Sequence, residues 1–195
     1  QTAWEQLSHE LPLVWCSESQ SKHLTKVEKM QQPSTMAYSL NQRFLHWAIA
    51  LLIFFNLLFP DGMNVWHRLM RRGEVPTPEQ VASANIHAYV GIAILLLAII
   101  RLGLRFTKGV PDEVAEEPAI FRLAAKLAHA GLYILIFAMP LTGIAAYYFG
   151  INPAGSFHAD VLKIILWALI AAHVAGALVH QFYWKTNVLR RMTLG

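Results

Sequence analysis

The sequence predicts an all-α fold, a four-helix transmembrane bundle with both termini cytoplasmic. Composition is the first reason, because 55% of the 195 residues are hydrophobic and only 14% are charged, whereas soluble domains carry about 25% charged residues. The second reason is a set of four runs without any charged residue, which cover residues 44–60, 80–100, 127–159 and 164–184. A spanning helix needs roughly 17–25 apolar residues, so each run predicts one membrane crossing.

The predicted spans are joined by short connections. The first run follows Arg43 in "RFLHWAIALLIFF", and its distance from the N-terminus and the lack of a small-residue cleavage site after it argue against a cleaved signal peptide. Residues 61–79 form an outer loop in which "MNVWHRLMRR" predicts a short helix. The third run is longer than one crossing, and Gly150, Pro153 and Gly155 mark its tail as a loop before the fourth span.

Lysine and arginine counts predict the orientation, because these residues favour the cytoplasmic side of a membrane. With the N-terminus inside, twelve of the sixteen lie on the cytoplasmic side. The remaining four lie outside and are Arg68, Arg71, Arg72 and Lys163. This asymmetry also explains the pI of about 9.3 without a nucleic-acid partner.

Two parts of the chain differ in composition: a polar N-terminal extension, residues 1–37, and a membrane domain, residues 38–195. The extension is mixed in charge and ends near the helix-breaking "QQPST", and we expect it to have no role in the core chemistry. Cys16 is the only cysteine. The chain therefore has no internal disulfide, no cysteine-rich zinc site and no C-x-x-C-H motif for covalent haem attachment.

Nine histidines are many for such an apolar chain, and most of them fall within or at the ends of the predicted spans. Because consecutive spans alternate in direction, His87 and His158 lie toward the outer face. A second group lies toward the inner face and consists of His46, His129, His173 and His180. These histidines therefore form an outer layer and an inner layer.

Helix geometry points to a cofactor for the two layers. His158 and His173 are fifteen residues apart on the fourth span, which corresponds to roughly 22 Å along the helix axis and about 60° around it. That separation suits two stacked haems, each with one ligand from this helix and one from another helix. Bis-histidine ligation fills both axial positions of the iron and favours electron transfer over oxygen binding.

The choice of ligands is not unique at this point. His87 fits the second outer ligand and His46 fits an inner one, but depth alone leaves a tie among His129, His173 and His180. The alternative for each histidine is an interhelical hydrogen bond without any metal. Two depth-matched layers on facing helices favour ligation.

Four segments resemble the bacterial cytochrome b561 family of four-helix, dihaem membrane cytochromes: "LNQRFLHWAIALL", "NIHAYVGIAILLLAIIRL", "LAHAGLYILIFAMPLTG" and "HVAGALVHQFYWKTNVLRRM". The resemblance covers about residues 38–193, and the closing pattern H-x6-H-x3-WK-x-N-x-L-x-RM is its most specific part. It implies two non-covalent haem b groups, the inner one held by His46 and His173 and the outer one by His87 and His158. One departure concerns His158, since its spacing to His173 is a residue longer than the family leads us to expect.

The resemblance also implies a function. Members of the family exchange electrons with quinone, so it implies a multi-pass protein of the bacterial inner membrane whose partners are lipid and ubiquinone. A stand-alone chain with short loops most resembles the superoxide:ubiquinone oxidoreductases, which take an electron from superoxide outside. The basic residues of the outer loop would attract such an anion, although a merely solvated loop face explains them equally well.

Two other classes of function remain. The chain resembles, more distantly, haem-carrying subunits that pass electrons between a partner dehydrogenase, or a larger respiratory or photosynthetic complex, and quinone. Such a subunit would dock through the N-terminal extension or the acidic "PDEVAEE", and a homodimer is a further arrangement. A haem-free structural or transport protein is disfavoured by the two histidine layers and by the absence of paired carboxylates within the spans.

Two inner histidines are left without a haem by the resemblance. His180 lies seven residues beyond His173, on nearly the same helix face and about 10 Å closer to the inner surface. A neutral imidazole there can hydrogen-bond a quinone carbonyl and deliver a proton. His129 competes for this role from the third span, and a structural bond to a haem propionate or a backbone carbonyl is the alternative.

Overall fold

The computed structural model describes residues 37–111 and 118–193, which are almost wholly helical and contain no β-strand. The N-terminal extension and most of the acidic "PDEVAEE" segment lie outside these described residues. The helices, in chain order, are α1 (Leu40–Leu58), α2 (Asp61–Arg72), α3 (Pro78–Lys108), α4 (Ala119–Tyr147), α5 (Asn152–Ser156), a π-helical turn (Phe157–Leu162), α6 (Lys163–Phe182) and α7 (Val188–Thr193).

The helices confirm the predicted four-helix membrane bundle. Among the described residues, three helical stretches are long and apolar enough to cross a membrane by themselves: α3, α4 and the continuous stretch Asn152–Phe182. A fourth crossing is obtained when α1 and α2 are taken together, with a bend of 48° between them. The orientation of the bundle stays a prediction, and we name its two ends inner and outer accordingly.

Local sequence explains where several helices begin and end. Ser39 and Thr77 precede α1 and α3, and each hydroxyl accepts a hydrogen bond from the glutamine three residues later, whose side chain bonds back to the cap residue. Gly73 ends α2 with a φ of 70°, a conformation that favours glycine. Helix α2 confirms the short helix predicted in the outer loop.

The connection before the fourth span differs from expectation. Gly150 does lie in the turn after α4, with a φ of 66°. Pro153 and Gly155, however, belong to α5 and not to a loop, so that part of the prediction was wrong. The reason is that Pro153 occupies the first turn of the helix, where its missing N–H has no intrahelical partner to lose.

The interior of the bundle is small and apolar. One buried cluster consists of Ile49, Ile94 and Ala98, and a second consists of Leu135, Leu162 and Leu166. On each helix these residues fall between the outer and the inner histidine layers. Most large apolar side chains on the spans are exposed, as expected where lipid takes the place of water.

The inner end is closed by hydrogen bonds between distant parts of the chain. The Trp47 indole N–H donates to the Met192 carbonyl at 3.1 Å, and an Arg43 N–H donates to the Thr193 carbonyl at 3.0 Å. The side-chain amide of Gln42, which is buried, donates to the Gly109 carbonyl at 3.0 Å. Helix α7 and the end of α3 are thereby held against the start of α1.

Candidate haem centres

The structure brings histidines together at both ends of the bundle. At the outer end, the ring centres of His87 on α3 and His158 in the π turn are 6.3 Å apart, with an angle of 74° between the ring planes. At the inner end, His46 on α1 and His173 on α6 are 6.1 Å apart, with an angle of 70°. These are the two pairs that the family resemblance implied.

The separation within each pair fits two ligands on opposite sides of one metal ion. An imidazole nitrogen lies about 2 Å from a metal that it ligates and about 1.1 Å from its own ring centre, so two trans imidazoles have ring centres about 6.3 Å apart. Both observed separations agree with this value to within a few tenths of an ångström. Each pair therefore leaves room for one metal ion between its two rings.

The ring of His158 is held by α4. Its Nδ1 lies 2.9 Å from the Met139 carbonyl oxygen and 3.2 Å from the Thr142 hydroxyl. Because a carbonyl oxygen can only accept, Nδ1 must carry the hydrogen of that bond, which leaves the lone pair on Nε2. This is the usual arrangement of a metal-binding histidine, whose second nitrogen donates to a carbonyl or carboxylate.

Helix α1 contributes a polar residue to the outer end. The Asn56 side-chain amide donates to the backbone carbonyl of His87 at 3.1 Å. Among the described residues, Asn56 Oδ1 and His87 Nδ1 are buried polar atoms without a hydrogen-bond partner. Such atoms are costly unless a further group satisfies them, so they fit a site that is completed by a cofactor.

A cavity of about 320 Å³ adjoins the outer pair and is lined by His87, His158, Gly91 and Gly143, among others. A Cβ built on Gly91 would meet nothing within 4 Å, so this glycine leaves open space one turn beyond His87. The volume lies within the range of small-molecule and cofactor sites. A flat macrocycle between the two histidines is compatible with this opening.

The other two inner histidines have different surroundings. His129 is 5.2 Å from His173, centre to centre, which is about 1 Å too close for trans ligands on one metal. Its side chain also hydrogen-bonds the backbone of Ala125, one turn earlier. His180 is buried, with Nδ1 2.9 Å from the Thr186 hydroxyl.

Asn56 and Thr142 are site residues that the sequence reasoning missed. Asn56 was detectable, because it is the one strongly polar residue in the apolar run that follows His46. Thr142 gave a weaker signal, since threonine often bonds the carbonyl one turn earlier in a membrane helix. Its hydroxyl does donate to the Ala138 carbonyl at 2.7 Å, so its contact with His158 depends on tertiary structure.

A basic surface lies beside the outer cavity. Side chains of α2 form a polar basin lined by Asn64, His67, Arg68, Arg71 and Arg72. Asn64 and His67 also line the cavity that contains the outer histidine pair. The basin and the cavity are therefore adjacent.

Aromatic residues connect α2 to the bundle. The rings of Trp66 and Tyr147 are 4.6 Å apart, and the Tyr147 hydroxyl donates to Asn85 Oδ1 at 2.8 Å. Asn85 is two residues before His87 on α3. Trp66 and Tyr147 also line the cavity that contains the outer histidine pair.

Comparisons with known proteins assign the chain to a family. The family model described as prokaryotic cytochrome b561 matches residues 37–195. The chain belongs to the prokaryotic cytochrome b561 family. Membership makes it a haem-carrying electron-transfer protein of a bacterial membrane, and for a cytochrome b it implies haem b.

The similarity to individual relatives extends over almost the whole length of each relative. The chain is 34% identical over 155 residues to cytochrome b562 of Cereibacter sphaeroides, covering 80% of this chain and 94% of the relative. It is 29% identical over 175 residues to the probable superoxide oxidase CybB of Yersinia pestis, with coverage of 80% and 94%. It is 30% identical over 182 residues to cytochrome b561 homolog 1 of Escherichia coli, with coverage of 80% and 96%.

Proposed function

We propose that this cytochrome b561 carries two haem b groups, one at each end of the bundle, and transfers electrons between them across the membrane. The observation that carries the proposal is the separation within the two histidine pairs, 6.3 Å at the outer end and 6.1 Å at the inner end. His87 and His158 would hold the outer haem, and His46 and His173 the inner one. Haem supplies the reversible one-electron chemistry when bound.

The protein's own residues orient the histidines that would bind haem. Met139 and Thr142 keep the Nδ1 hydrogen of His158 engaged, so that Nε2 is free to bind. Asn56 holds the backbone of His87 from a neighbouring helix. With two histidines as the ligands of each haem, the group would serve electron transfer and not oxygen binding.

The inner end is proposed to exchange electrons with quinone. A membrane quinone reaches the protein through lipid, and its reduction to quinol takes two electrons and two protons. His180 lies close to the inner end of α6, where its ring makes an edge-to-face contact with Trp184, 4.8 Å between the ring centres. An imidazole at this depth is a candidate for the group that would hydrogen-bond a quinone carbonyl and deliver a proton to it.

Oxidation of superoxide is a second candidate function, supported by the basic basin on α2. Arginines that converge beside a cavity raise the local concentration of a small anion, and the basin adjoins the outer cavity through Asn64 and His67. Each superoxide would give up one electron and leave as O₂. Two such electrons, together with two protons, would reduce one quinone to quinol. A relative named as a probable superoxide oxidase adds to this proposal.

The alternative is a haem-carrying subunit of a larger respiratory or photosynthetic complex. Its expected docking segments, the N-terminal extension and the acidic "PDEVAEE", lie largely outside the described residues. This alternative therefore stays a prediction. Steady-state superoxide consumption with added quinone separates it from the stand-alone oxidase.

The central proposal is tested by counting haem. We expect the purified chain to show a b-type reduced-minus-oxidised spectrum and two haems per polypeptide, both extractable because they are not covalently attached. Redox titration should resolve two one-electron components. One haem per chain, or none, would overturn the proposal.

A further inference from the structure

The helix that carries His158 and His173 is not a regular α-helix along its whole length. Residues Phe157–Leu162 form a π turn, in which the Lys163 N–H donates to the carbonyl of His158, five residues earlier. An α-helix would bond that N–H to Ala159, four residues earlier. Single π turns are rare and occur mostly at functional sites, and this one begins beside a proposed haem ligand.

The π turn changes the direction of His158 relative to His173. Fifteen residues of uninterrupted α-helix would separate the two side chains by about 60° around the axis. In a π turn the bonded groups are five residues apart, where an α-helix has four, so one of the fifteen residues adds no rotation around the axis. The other fourteen steps, at about 100° each, leave the two side chains about 40° apart in the opposite sense. The turn therefore rotates His158 by one α-helical step, about 100°.

Contacts on both sides of the turn keep this rotation in place. Leu162 and Leu166 are buried against α4 in the same cluster as Leu135, so the helix after the turn cannot slide by one residue without losing that packing. On the other side, His158 Nδ1 bonds the Met139 carbonyl at 2.9 Å. A rotation of about 100° would carry the ring away from both Met139 and His87.

We infer that the π turn of Phe157–Leu162 is a positioning element that absorbs one residue and thereby aims His158 at His87. The inference rests on the proposed function, since the outer haem is the group that requires this direction. It assigns a role to the irregular backbone and not to a particular side chain. The side chain of Val161, for example, is exposed.

Two single-residue deletions test the inference, because both shorten the His158-to-His173 spacing equally. Deleting Val161 removes the extra residue from the π turn, so the helix becomes regular while His158 keeps its direction. Deleting Ala168, which is exposed and lies in regular helix beyond Leu162 and Leu166, leaves the turn and the packing of those two leucines intact, so His158 stays in place and the part of the helix that carries His173 rotates by about 100°. The variant His158→Ala is made in parallel, and in each chain the haem at the unaltered end of the bundle reports on folding.

Expected results are two haems per chain for the Val161 deletion, one, the outer, for the Ala168 deletion, and one, the inner, for His158→Ala. If the Val161 deletion loses only the outer haem, or if both deletions keep both haems, the turn does not aim His158. If His158→Ala keeps both haems, the proposed outer ligand itself is wrong. If the Val161 deletion misfolds and loses both haems, an experimental structure of the haem-loaded full chain decides. A hydrogen bond from the Lys163 N–H to the His158 carbonyl would support the inference, and one to the Ala159 carbonyl would overturn it.

Discussion

His158 donates its Nδ1 hydrogen to the carbonyl oxygen of Met139, 2.9 Å away on a different helix. This bond fixes which nitrogen of the ring can bind a metal. It also orients the ring toward His87, whose centre is 6.3 Å away. The chemistry of the outer end therefore depends on how α4 packs against the fourth span.

The two histidine pairs should be separable by mutation. Replacing His46 or His173 with alanine should remove the inner haem only, and replacing His87 or His158 should remove the outer haem only, because each haem needs both axial ligands. Haem per polypeptide and the number of redox components measure the loss. His129→Ala is the matched control and should keep two haems; retention of both haems in any of the four ligand variants would show that the pairing is wrong.

Thr142 should tune the potential of the outer haem. Replacing it with valine weakens the hydrogen bonding of His158 Nδ1, which lowers the basicity of the ligand and disfavours the oxidised iron. We expect the potential to rise by up to ~40 mV, the equivalent of about 1 kcal/mol for one electron. Thr142→Ser keeps the hydroxyl and should shift the potential little. An equal shift in the inner component would argue against a local effect.

His180 should matter for quinone and not for haem. His180→Ala removes the ring that would bond a quinone carbonyl, so we expect both haems to remain while quinone-linked electron transfer slows by about tenfold or more. Stopped-flow oxidation of the reduced protein by added quinone measures this rate. His129→Ala tests the competing residue. Unchanged quinone kinetics in the His180 variant would leave it with the structural role that its bond to Thr186 already indicates.

The basic basin should govern the encounter with superoxide. Replacing Arg68, Arg71 and Arg72 with glutamine should lower the rate of superoxide consumption about tenfold at low ionic strength and less in high salt, as expected for electrostatic steering. Haem content and quinone kinetics should not change. Lys108→Gln, at the inner end of α3, is the control for a loss of surface charge. A rate that is independent of both salt and substitution would rule out steering by α2.

The N-terminal extension should be dispensable for haem loading. Residues 1–35 are polar and mixed in charge, so they cannot enter the apolar interior of the bundle at low cost. A chain that begins at Met36 should keep two haems with unchanged potentials. Loss of either haem on truncation would assign the extension a role in the membrane domain.

Much of the fold could be predicted from the sequence, because its determinants are local. A charge-free run and a helical period are properties of one segment, so the spans and the depth of each histidine follow from residue positions alone. The short helix α2 also follows from local pattern. Pro153 was assigned to a loop although it begins a helix, since proline is common in both settings.

The sequence by itself determined that histidines lie in two layers separated by an apolar interior. Only the tertiary structure shows how closely individual histidines approach one another: at the inner end the ring centre of His173 is 5.2 Å from that of His129 and 6.1 Å from that of His46. The contacts of Asn56 and Thr142 were decided in the same way. The physical reason is that the direction of a side chain around its helix depends on packing between helices and, at His158, on a π turn that residue spacing alone does not reveal.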